Sequence, residues 1–474
     1  MKILRIACMF GGFLSLVLSL SAQTFTTLRS FDGTDGSQVF PGLVQAANGD
    51  LYGATADGGA NSNKGCVANC GTVFKITLAG KLTTLYSFCS QSGCSDGAEP
   101  QATLVQDTNG NLYGTTFILG ANGGGTVFKI SPAGKLTTLY TFCSKSGCSD
   151  GDGPNAPLVQ ATNGDLYGTT LFGGASNACS GGGCGVVFKI TLSGTFTTLH
   201  SFDSTDGDAP RGPVQATDGN FYGTTNQGGA HGGGTVFKIT PSGKLTTLYN
   251  FCSRSGCTDG EAPLAGVVQG TDGNFYGTAT AGGANGYGTV FKITPSGKLT
   301  TLGSFGPFGY PESTPVQATD GNFYGTTSSG GTEGYGTIFK ITPSGKLTTL
   351  HTFDGTDGAE IAAGLVQDTN GKFYGTAPYG GANNDGTVFS LSVGLGPFVE
   401  TQPTAGKVGA AVKVLGTDLI GATSVTFNGT AAVFKVVSAS LITTDVPTGA
   451  TTGTVEVTTP KGTLKSNVAF RVTK

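Results

Sequence analysis

The sequence predicts an all-β protein in which a repeated unit is followed by a smaller β-rich region. Three observations support this prediction. The 474 residues include 82 Gly and 19 Pro, and only 12 % are charged, which is typical of a chain rich in turns. One motif recurs seven times. No segment keeps a helical period over about 11 residues, whereas short runs of β-branched and aromatic residues occur throughout.

The first 22 residues are predicted to be a signal peptide. Lys2 and Arg5 precede an apolar run that ends at Leu20, and small residues follow up to Ala22, the expected cleavage region. No second apolar stretch of about 18 residues occurs later, so the mature chain is not expected to insert into a membrane. We therefore expect an exported protein, secreted or on the cell surface, with the periplasm as a further location.

Two strand motifs define the repeat. The first is Phe/Leu-Tyr-Gly-Thr/Ala, whose tyrosines are Tyr52, Tyr113, Tyr167, Tyr222, Tyr276, Tyr324 and Tyr374. The second is centred on Val-Phe-Lys-Ile, whose phenylalanines are Phe74, Phe128, Phe188, Phe237, Phe291, Phe339 and Phe389. Because internal repeats decide the fold class, these seven units are the strongest signal in the chain.

Each unit is predicted to form four short strands joined by two hairpins. In the fourth unit they are Pro213 to Thr217, Phe221 to Thr225, Thr235 to Thr240 and Lys244 to Phe251. Asp-Gly and Pro-Ser-Gly turns join the first pair and the second pair, since glycine supplies the positive φ angles of tight turns. Four-stranded units of about 50 residues predict the blades of a β-propeller.

The two ends of the repeat array have complementary defects. The mature N-terminus, Phe25 to Phe31, matches the fourth strand of a unit, whereas the last unit ends after Val388 to Leu391 without a fourth strand. Pairing these segments would leave no incomplete blade edge. We therefore predict a seven-bladed β-propeller over residues 23–393, closed by its N-terminal strand.

The segment from Gly228 to Leu248 carries the fullest copy of the repeat. Its pattern, Gly-Gly-x-x-x-x-Gly-Thr-Val-Phe-Lys-Ile-Thr-Pro-Ser-Gly-Lys-Leu-Thr-Thr-Leu, resembles the Gloeobacter/Verrucomicrobia, or GloVer-type, tandem repeat of bacterial surface proteins. The resemblance implies the fold and export. It implies no activity, because this repeat has none assigned to it.

After a linker at 394–397, residues 398–474 alternate apolar and polar side chains in several strands. The expected strands are Val412 to Leu415, Ser424 to Phe427, Ala432 to Val437, Leu441 to Val446, Gly453 to Thr458 and Val468 to Val472. Together with the segment from Val446 to Gly453, this pattern resembles an IPT/TIG domain. The resemblance implies an immunoglobulin-like β-sandwich that acts as a spacer or an interaction module.

Cysteines after the signal peptide fall into five close pairs, and each pair accompanies extra loop length. The pairs are Cys66 with Cys70, Cys89 with Cys94, Cys143 with Cys148, Cys179 with Cys184, and Cys252 with Cys257. An even count in an exported protein favours local disulfides. Zinc is the alternative, but the spacings and the lack of nearby histidines disfavour it.

No catalytic motif is apparent, and no cofactor is expected. His200 and His351 replace a repeated tyrosine in the fourth strand, and His231 lies in a glycine-rich loop, so an imidazole filling an aromatic position explains the first two. The acids of the loops between units leave two alternatives open, solvated turn acids or calcium ligands. These acids are Asp96, Glu99, Asp150, Asp152, Asp206, Asp208, Asp259, Glu261, Asp357 and Glu360.

Aromatic residues outside the repeated positions are the candidates for binding. They are Tyr287, Phe308, Tyr310, Tyr335 and Tyr379. Topology places them on the face that carries the cysteine loops, where with Glu312 and Glu333 they could stack on sugar rings; the alternative is that each ring packs on the next blade.

The function expected from the sequence is a non-catalytic binding or adhesion scaffold for an extracellular glycan or a surface protein. An extracellular enzyme acting on polysaccharides and a structural envelope protein are the alternatives. The net charge of −3 and the absence of Lys/Arg clusters disfavour nucleic acid as a partner.

Overall fold

The computed structural model describes residues 23–61, 70–179 and 182–473. The predicted signal peptide lies outside these residues. Within them, regular structure consists of strands and of three 3-10 turns, at Ser92–Cys94, Ser146–Cys148 and Ser255–Cys257. No helix in this part of the chain is long and apolar enough to cross a membrane.

The repeat region forms seven four-stranded antiparallel sheets, numbered 1 to 7 along the chain. The N-terminal strand is β1 (Thr24–Ser30). Sheet 1 comprises β2 (Val44–Gln45), β3 (Leu51–Thr55), β4 (Thr72–Ile76) and β5 (Leu82–Ser87). Sheet 2 comprises β6 (Val105–Gln106), β7 (Leu112–Thr116), β8 (Thr126–Ile130) and β9 (Leu136–Thr141). Sheet 3 comprises β10 (Val159–Gln160), β11 (Leu166–Thr170), β12 (Val186–Ile190) and β13 (Phe196–Ser201).

The later sheets repeat this order. Sheets 4 to 7 comprise β14 (Asp208–Gln215), β15 (Phe221–Gln227), β16 (Thr235–Ile239) and β17 (Leu245–Asn250); β18 (Val268–Gln269), β19 (Phe275–Ala279), β20 (Thr289–Ile293) and β21 (Leu299–Ser304); β22 (Val316–Gln317), β23 (Phe323–Thr327), β24 (Thr337–Ile341) and β25 (Leu347–Thr352); β26 (Val366–Gln367), β27 (Phe373–Ala377) and β28 (Thr387–Ser392) with β1.

Strand β1 completes sheet 7, as the ends of the repeat array predict. It runs antiparallel to β28, with Thr24 opposite Ser392 and Thr26 opposite Ser390. The first and last segments of the repeat region therefore share one sheet, and the outer edge of β28 is covered.

A hydrophobic cluster fills each junction between consecutive sheets. In a typical junction, the repeated tyrosine of one sheet and the repeated phenylalanine of the next belong to the same cluster, as Tyr52 of sheet 1 and Phe128 of sheet 2 do. Sheet 7 meets sheet 1 in the same way, since Tyr374 and Phe74 belong to one cluster. Burial of these side chains, each worth about 1.5–3 kcal/mol, holds neighbouring sheets together.

Polar contacts repeat at the same junctions. The backbone N–H of Thr369 in sheet 7 donates to the side-chain oxygen of Gln45 in sheet 1 at 3.0 Å, and Thr217 in sheet 4 donates to Gln269 in sheet 5 at 2.9 Å. The contact between sheets 7 and 1 is therefore equivalent to one between sheets that are consecutive in the chain.

The C-terminal region forms two four-stranded sheets and a parallel pair. The strands are β29 (Glu400–Gln402), β30 (Ala405–Lys407), β31 (Ala411–Leu415), β32 (Ser424–Phe427), β33 (Thr430–Ala431), β34 (Phe434–Ser438), β35 (Leu441–Asp445), β36 (Val455–Thr459), β37 (Gly462–Lys465) and β38 (Arg471–Thr473). One sheet has the order β29-β31-β35-β34, the other β33-β32-β36-β37, and β30 pairs with β38. Val414 and Ile442 of the first sheet share a buried core with Val425 and Val457 of the second.

The two ends of the seven sheets differ in what they carry. We call the end with the turns between first and second strands the turn face. The opposite end carries the cysteine-bearing loops, and we call it the loop face. The C-terminal region contacts the turn face, where Phe398 N–H donates to the Thr369 carbonyl at 2.9 Å and Arg471 Nη1 donates to the Thr217 carbonyl at 2.7 Å. These two contacts join it to sheets 7 and 4.

Candidate functional site

Local disulfides close the cysteine-bearing loops on the loop face. Four of the predicted pairs are confirmed, namely Cys89–Cys94, Cys143–Cys148, Cys179–Cys184 and Cys252–Cys257. Cys70 is also disulfide-bonded, and its predicted partner, Cys66, lies outside the described residues. Because the sulfurs of the four pairs are oxidised, they are not thiolate ligands for zinc.

An aspartate in the loop between sheets accepts a hydrogen bond from the preceding fourth strand. Loops with a disulfide pair this aspartate with tyrosine, whereas short loops pair it with a basic side chain. The pairs are Tyr86–Asp96, Tyr140–Asp150 and Tyr249–Asp259 in the first group, and Arg29–Asp35, His200–Asp206 and His351–Asp357 in the second. The two histidines therefore have a structural partner in their own loop.

Several of the loop acids considered as calcium ligands are bound by their own backbone. Asp96 and Asp259, for example, accept from the backbone N–H groups of Ser90 and Ser253 at 3.0 Å. Asp152 and Asp208 lie against disulfides, and burial raises the pKa of both carboxyls. These contacts explain the positions of the four acids by the folding of the loops.

The predicted aromatic residues divide among three junctions. Tyr287 lies 5.4 Å from the ring of Phe308 and 5.7 Å from that of Tyr310, between sheets 5 and 6. Tyr379 of sheet 7 makes an edge contact with Phe40, next to sheet 1, at 5.9 Å. Tyr335 packs beside Gly355, between sheets 6 and 7. The structure thus places these residues on one face without joining them into a single patch, and it leaves Phe308 and Tyr335 59 % and 43 % exposed.

A cavity of about 530 Å³ lies where the first strands of all seven sheets begin. Each sheet contributes the segment that leads to the end of its first strand. We call the first lining residue of each segment the axial position. The seven residues at the axial position are Phe40, Gln101, Asn155, Arg211, Leu264, Glu312 and Ala362. All seven are different, although the strands around them are nearly identical, so the repeats depart from one another at this position.

Sheet 4 presents its axial residue differently from the other sheets. Six sheets have four residues between the axial position and the glutamine that ends the first strand, whereas sheet 4 has three, between Arg211 and Gln215. In sheet 4, β14 pairs with β15 from Asp208, with Arg211 opposite Thr224, and the register shifts between Arg211 and Val214. The other first strands in the repeat region contain two residues, so Arg211 is the one axial residue held within a strand.

Arg211 lies deep in the fold, while its side chain still lines the cavity. Nη1 donates to Oδ1 of Asn155 at 2.8 Å, and Nδ2 of Asn155 donates to Gln101 at 2.5 Å. The Nε atom is buried and has no partner among the described residues, which costs about 1–3 kcal/mol. Burial lowers the pKa of Arg211 to about 10, against the opposing effect of Glu312, so the guanidinium keeps its charge at neutral pH.

Glu312 is the acid of the cavity. Its Oε1 accepts from the hydroxyl of Ser328 at 2.8 Å, and burial raises the pKa of its carboxyl, an effect that the charge of Arg211 opposes. Arg211 and Glu312 therefore influence each other electrostatically. They form no ion pair within 4.0 Å in the described part of the chain. The cavity thus offers one largely buried cation, one acid, two amides, hydroxyl groups and apolar side chains.

Arg211, Asn155 and Gln101 were not among the residues predicted from the sequence. Glu312 was expected beside the aromatic residues, whereas the structure places it in the cavity. The available signal was the column of residues before each first strand, where all seven units differ and one unit is a residue shorter.

Comparisons with solved structures return proteins of low similarity. An oligogalacturonate lyase from Vibrio parahaemolyticus is 10% identical, with a TM-score of 0.47, and the match covers 78% of this chain and 93% of that one. A gluconolactonase from Xanthomonas campestris is 12% identical, with a TM-score of 0.40 and coverage of 80% and 93%. At these scores neither likeness supports an argument about this chain.

The sequence itself matches one family. A search of curated proteins finds no match. The profile of the Gloeobacter/Verrucomicrobia repeat, however, matches in four overlapping copies, at residues 15–181, 62–258, 178–389 and 255–431. These copies span most of the chain, including all seven sheets. The chain therefore belongs to the Gloeobacter/Verrucomicrobia repeat family.

Proposed function

We propose that the protein is an exported, non-catalytic binding or adhesion scaffold. A closed seven-bladed β-propeller recognises an extracellular glycan or a surface protein at its loop face, and an immunoglobulin-like C-terminal domain acts as a spacer or a partner module. The observation that carries the proposal is the axial position, because seven different side chains converge on one cavity of an otherwise uniform scaffold.

Closure of the ring is supported by the junction between sheets 7 and 1. There, Thr376 donates through its hydroxyl to the Pro41 carbonyl at 2.8 Å, and Thr224 in sheet 4 makes the same contact with Ala265 in sheet 5 at 2.7 Å. A closed ring leaves no unpaired blade edge and holds the loops of the loop face on a rigid base.

Recognition at the loop face is supported by exposed aromatic rings in its loops. Phe308 and Tyr335 are exposed, and Tyr379 contacts the axial residue Phe40. The turn face, in contrast, is partly covered by the C-terminal region. Disulfides in the loops fit an oxidising compartment such as the cell exterior.

A glycan array followed by a product assay tests the function. Residues 23–474 are applied to the array, and each bound glycan is then incubated with the protein and analysed for chain cleavage. Binding without new products supports the scaffold, whereas turnover of a bound glycan would replace it with the enzyme. Absence of binding to glycans and to intact cells would favour a structural envelope protein.

The binding face is tested with single substitutions on any glycan that the array identifies. Phe308→Ala and Tyr335→Ala are expected to weaken binding by about 1 kcal/mol or more each. Lys298→Ala, on the turn face, is the control and is expected to bind as the wild type does. Loss of binding in Lys298→Ala alone would move the site to the turn face.

A further inference from the structure

We propose that the axial cavity binds the carboxylate of a sugar acid through Arg211. The inference rests on the proposed function and names the ligand chemistry of the same face. The sugar acid comes from one of two sources, a free monosaccharide or the end of an acidic polysaccharide chain.

The charge of Arg211 is the first argument. Arg211 is one of the residues that line the cavity, and none of the described carboxylates lies within ion-pair distance of its guanidinium. Its Nε atom also lacks a hydrogen-bond partner in this part of the chain. A buried cation without an ion pair is unfavourable unless an anion compensates it, and a planar carboxylate is the anion that a guanidinium fits best.

The positioning of Arg211 is the second argument. A chain of hydrogen bonds leads from Glu99 through Gln101 and Asn155 to Nη1 of Arg211, and β14 fixes the backbone. The side-chain oxygen of Asn155 accepts from the guanidinium, and the side-chain oxygen of Gln101 accepts from the Asn155 amide and orients it. This arrangement orients the cation before a ligand arrives, which reduces the entropy lost on binding.

The shape of the cavity is the third argument. Phe40, Leu264 and Ala362 provide an apolar surface, and the volume of about 530 Å³ lies within the range of small-molecule sites. A single sugar ring has apolar C–H faces and polar edges, so it can contact both kinds of lining. Because all seven sheets surround the cavity, a chain end or a free sugar can enter it, whereas the middle of a polymer cannot.

Glu312 competes with the proposed ligand. Its carboxyl lines the same cavity, and its charge acts on Arg211. A bound carboxylate would be repelled by it, so removing this charge should strengthen the binding of an acid and leave a neutral sugar nearly unaffected. This opposite effect separates recognition of charge from general damage to the cavity.

Calorimetry with matched sugars tests the inference on the full chain, residues 23–474. The probes are D-glucuronate, D-glucose and an oligosaccharide that ends in glucuronate. We expect glucuronate to bind at least tenfold more tightly than glucose. Arg211→Gln should abolish this preference, and Glu312→Gln should increase the affinity for glucuronate severalfold. Arg254→Gln, an exposed arginine of the loop face, is the control that should keep the preference.

The outcomes separate the two sources and the two proposals. Binding of free glucuronate supports a monosaccharide ligand, and binding of the oligosaccharide alone supports a chain end. Equal affinity for glucuronate and glucose, a preference that survives in a folded Arg211→Gln variant, or failure of both acids to bind would overturn the inference. If the array still finds a neutral glycan, the binding scaffold stands and the carboxylate site alone is wrong. Circular dichroism and melting temperature confirm that each variant is folded.

Discussion

Contacts between the fourth strand and the loop that follows it explain which residues the repeats exchange. The sequence suggests that His200 and His351 fill an aromatic position, and His351 does stack on Phe25 at 3.8 Å. The pairing with Asp206 and Asp357, however, gives a more specific reason. A six-residue loop brings its aspartate to a basic side chain, whereas a ten-residue loop with a disulfide brings it to a tyrosine hydroxyl, so the two positions change together.

The glycine of the Tyr-Gly-Thr motif has an equally local cause. A Cβ atom on Gly325 would lie 2.6 Å from the ring of Phe339 on the adjacent strand. We expect Gly325→Ala to destabilise the protein by about 1–3 kcal/mol, because the ring would have to move within a filled core. Urea unfolding measures the change.

Gly306→Ala is the matched control for this substitution, since a Cβ atom there meets nothing within 4 Å. It should leave the free energy of unfolding nearly unchanged. Equal effects of the two substitutions would show that crowding by the phenylalanine ring is not the reason for the glycine.

At the scale of strands and loops, the sequence predicted the hairpins well and the shortest strands poorly. The predicted strand Phe221 to Thr225 lies within β15, and the predicted strand Ser424 to Phe427 coincides with β32. The first strand of sheet 4 was placed too late, because its pairing begins at Asp208, before the proline-containing segment. In the C-terminal region β29, β30, β33 and β37 were missed, since strands of two to four residues are too short to show an alternating pattern.

The same limit explains why the site was missed. In six sheets the axial residue lies ahead of a two-residue strand, so no periodicity marks it, and its partners come from neighbouring sheets. The contact between Asn155 and Arg211, for example, joins sheets 3 and 4. The packing of neighbouring sheets side by side brings such residues together.

The disulfides give a prediction for the loops. Cys89→Ser with Cys94→Ser should cost about 2 kcal/mol on the loop-entropy account of a small ring. Hydrogen exchange should increase in the loop at residues 89–97 and stay low in strands β7 and β8, since the bond lies outside the sheets. Loss of protection throughout sheet 2 would mean that the disulfide supports the sheet itself.

Across the whole molecule, two buried carboxyls lie where the C-terminal region meets sheet 7. Asp368 is fully buried, and its Oδ2 has no partner among the described residues. Burial raises the pKa of Asp368 to about 6. Burial, together with the charge of Asp368, raises the pKa of Glu400 in β29 to about 7. Compared with the unfolded chain, the fold therefore favours the neutral form of both groups.

The stability should consequently fall as the pH rises. In the unfolded chain both groups ionise near pH 4, whereas in the fold they ionise near pH 6 and 7. Their contribution is therefore complete below about pH 4 and is lost as the pH rises through 7. The rise of the Glu400 pKa to about 7 corresponds to a loss on the order of 3 kcal/mol.

Melting temperatures at pH 5 and pH 8 measure this effect. The wild type should be less stable at pH 8, and Glu400→Gln should reduce the difference. Glu456→Gln, at an exposed site of the same region, is the control and should preserve it. A wild type with equal or higher stability at pH 8 would contradict the assignment of the two buried carboxyls.

The central claim is that one ring of seven sheets is closed by the N-terminal strand. The most direct test is the yield of a disulfide between Thr26→Cys and Ser390→Cys, positions that face each other in β1 and β28. Peptide mapping of the oxidised monomer should find this bond in most molecules. The control pairs Thr26→Cys with Lys340→Cys, which occupies the corresponding place in sheet 6 and should not cross-link. A bond between the two introduced cysteines found only between two chains, or an equal yield in the control, would contradict closure within one molecule.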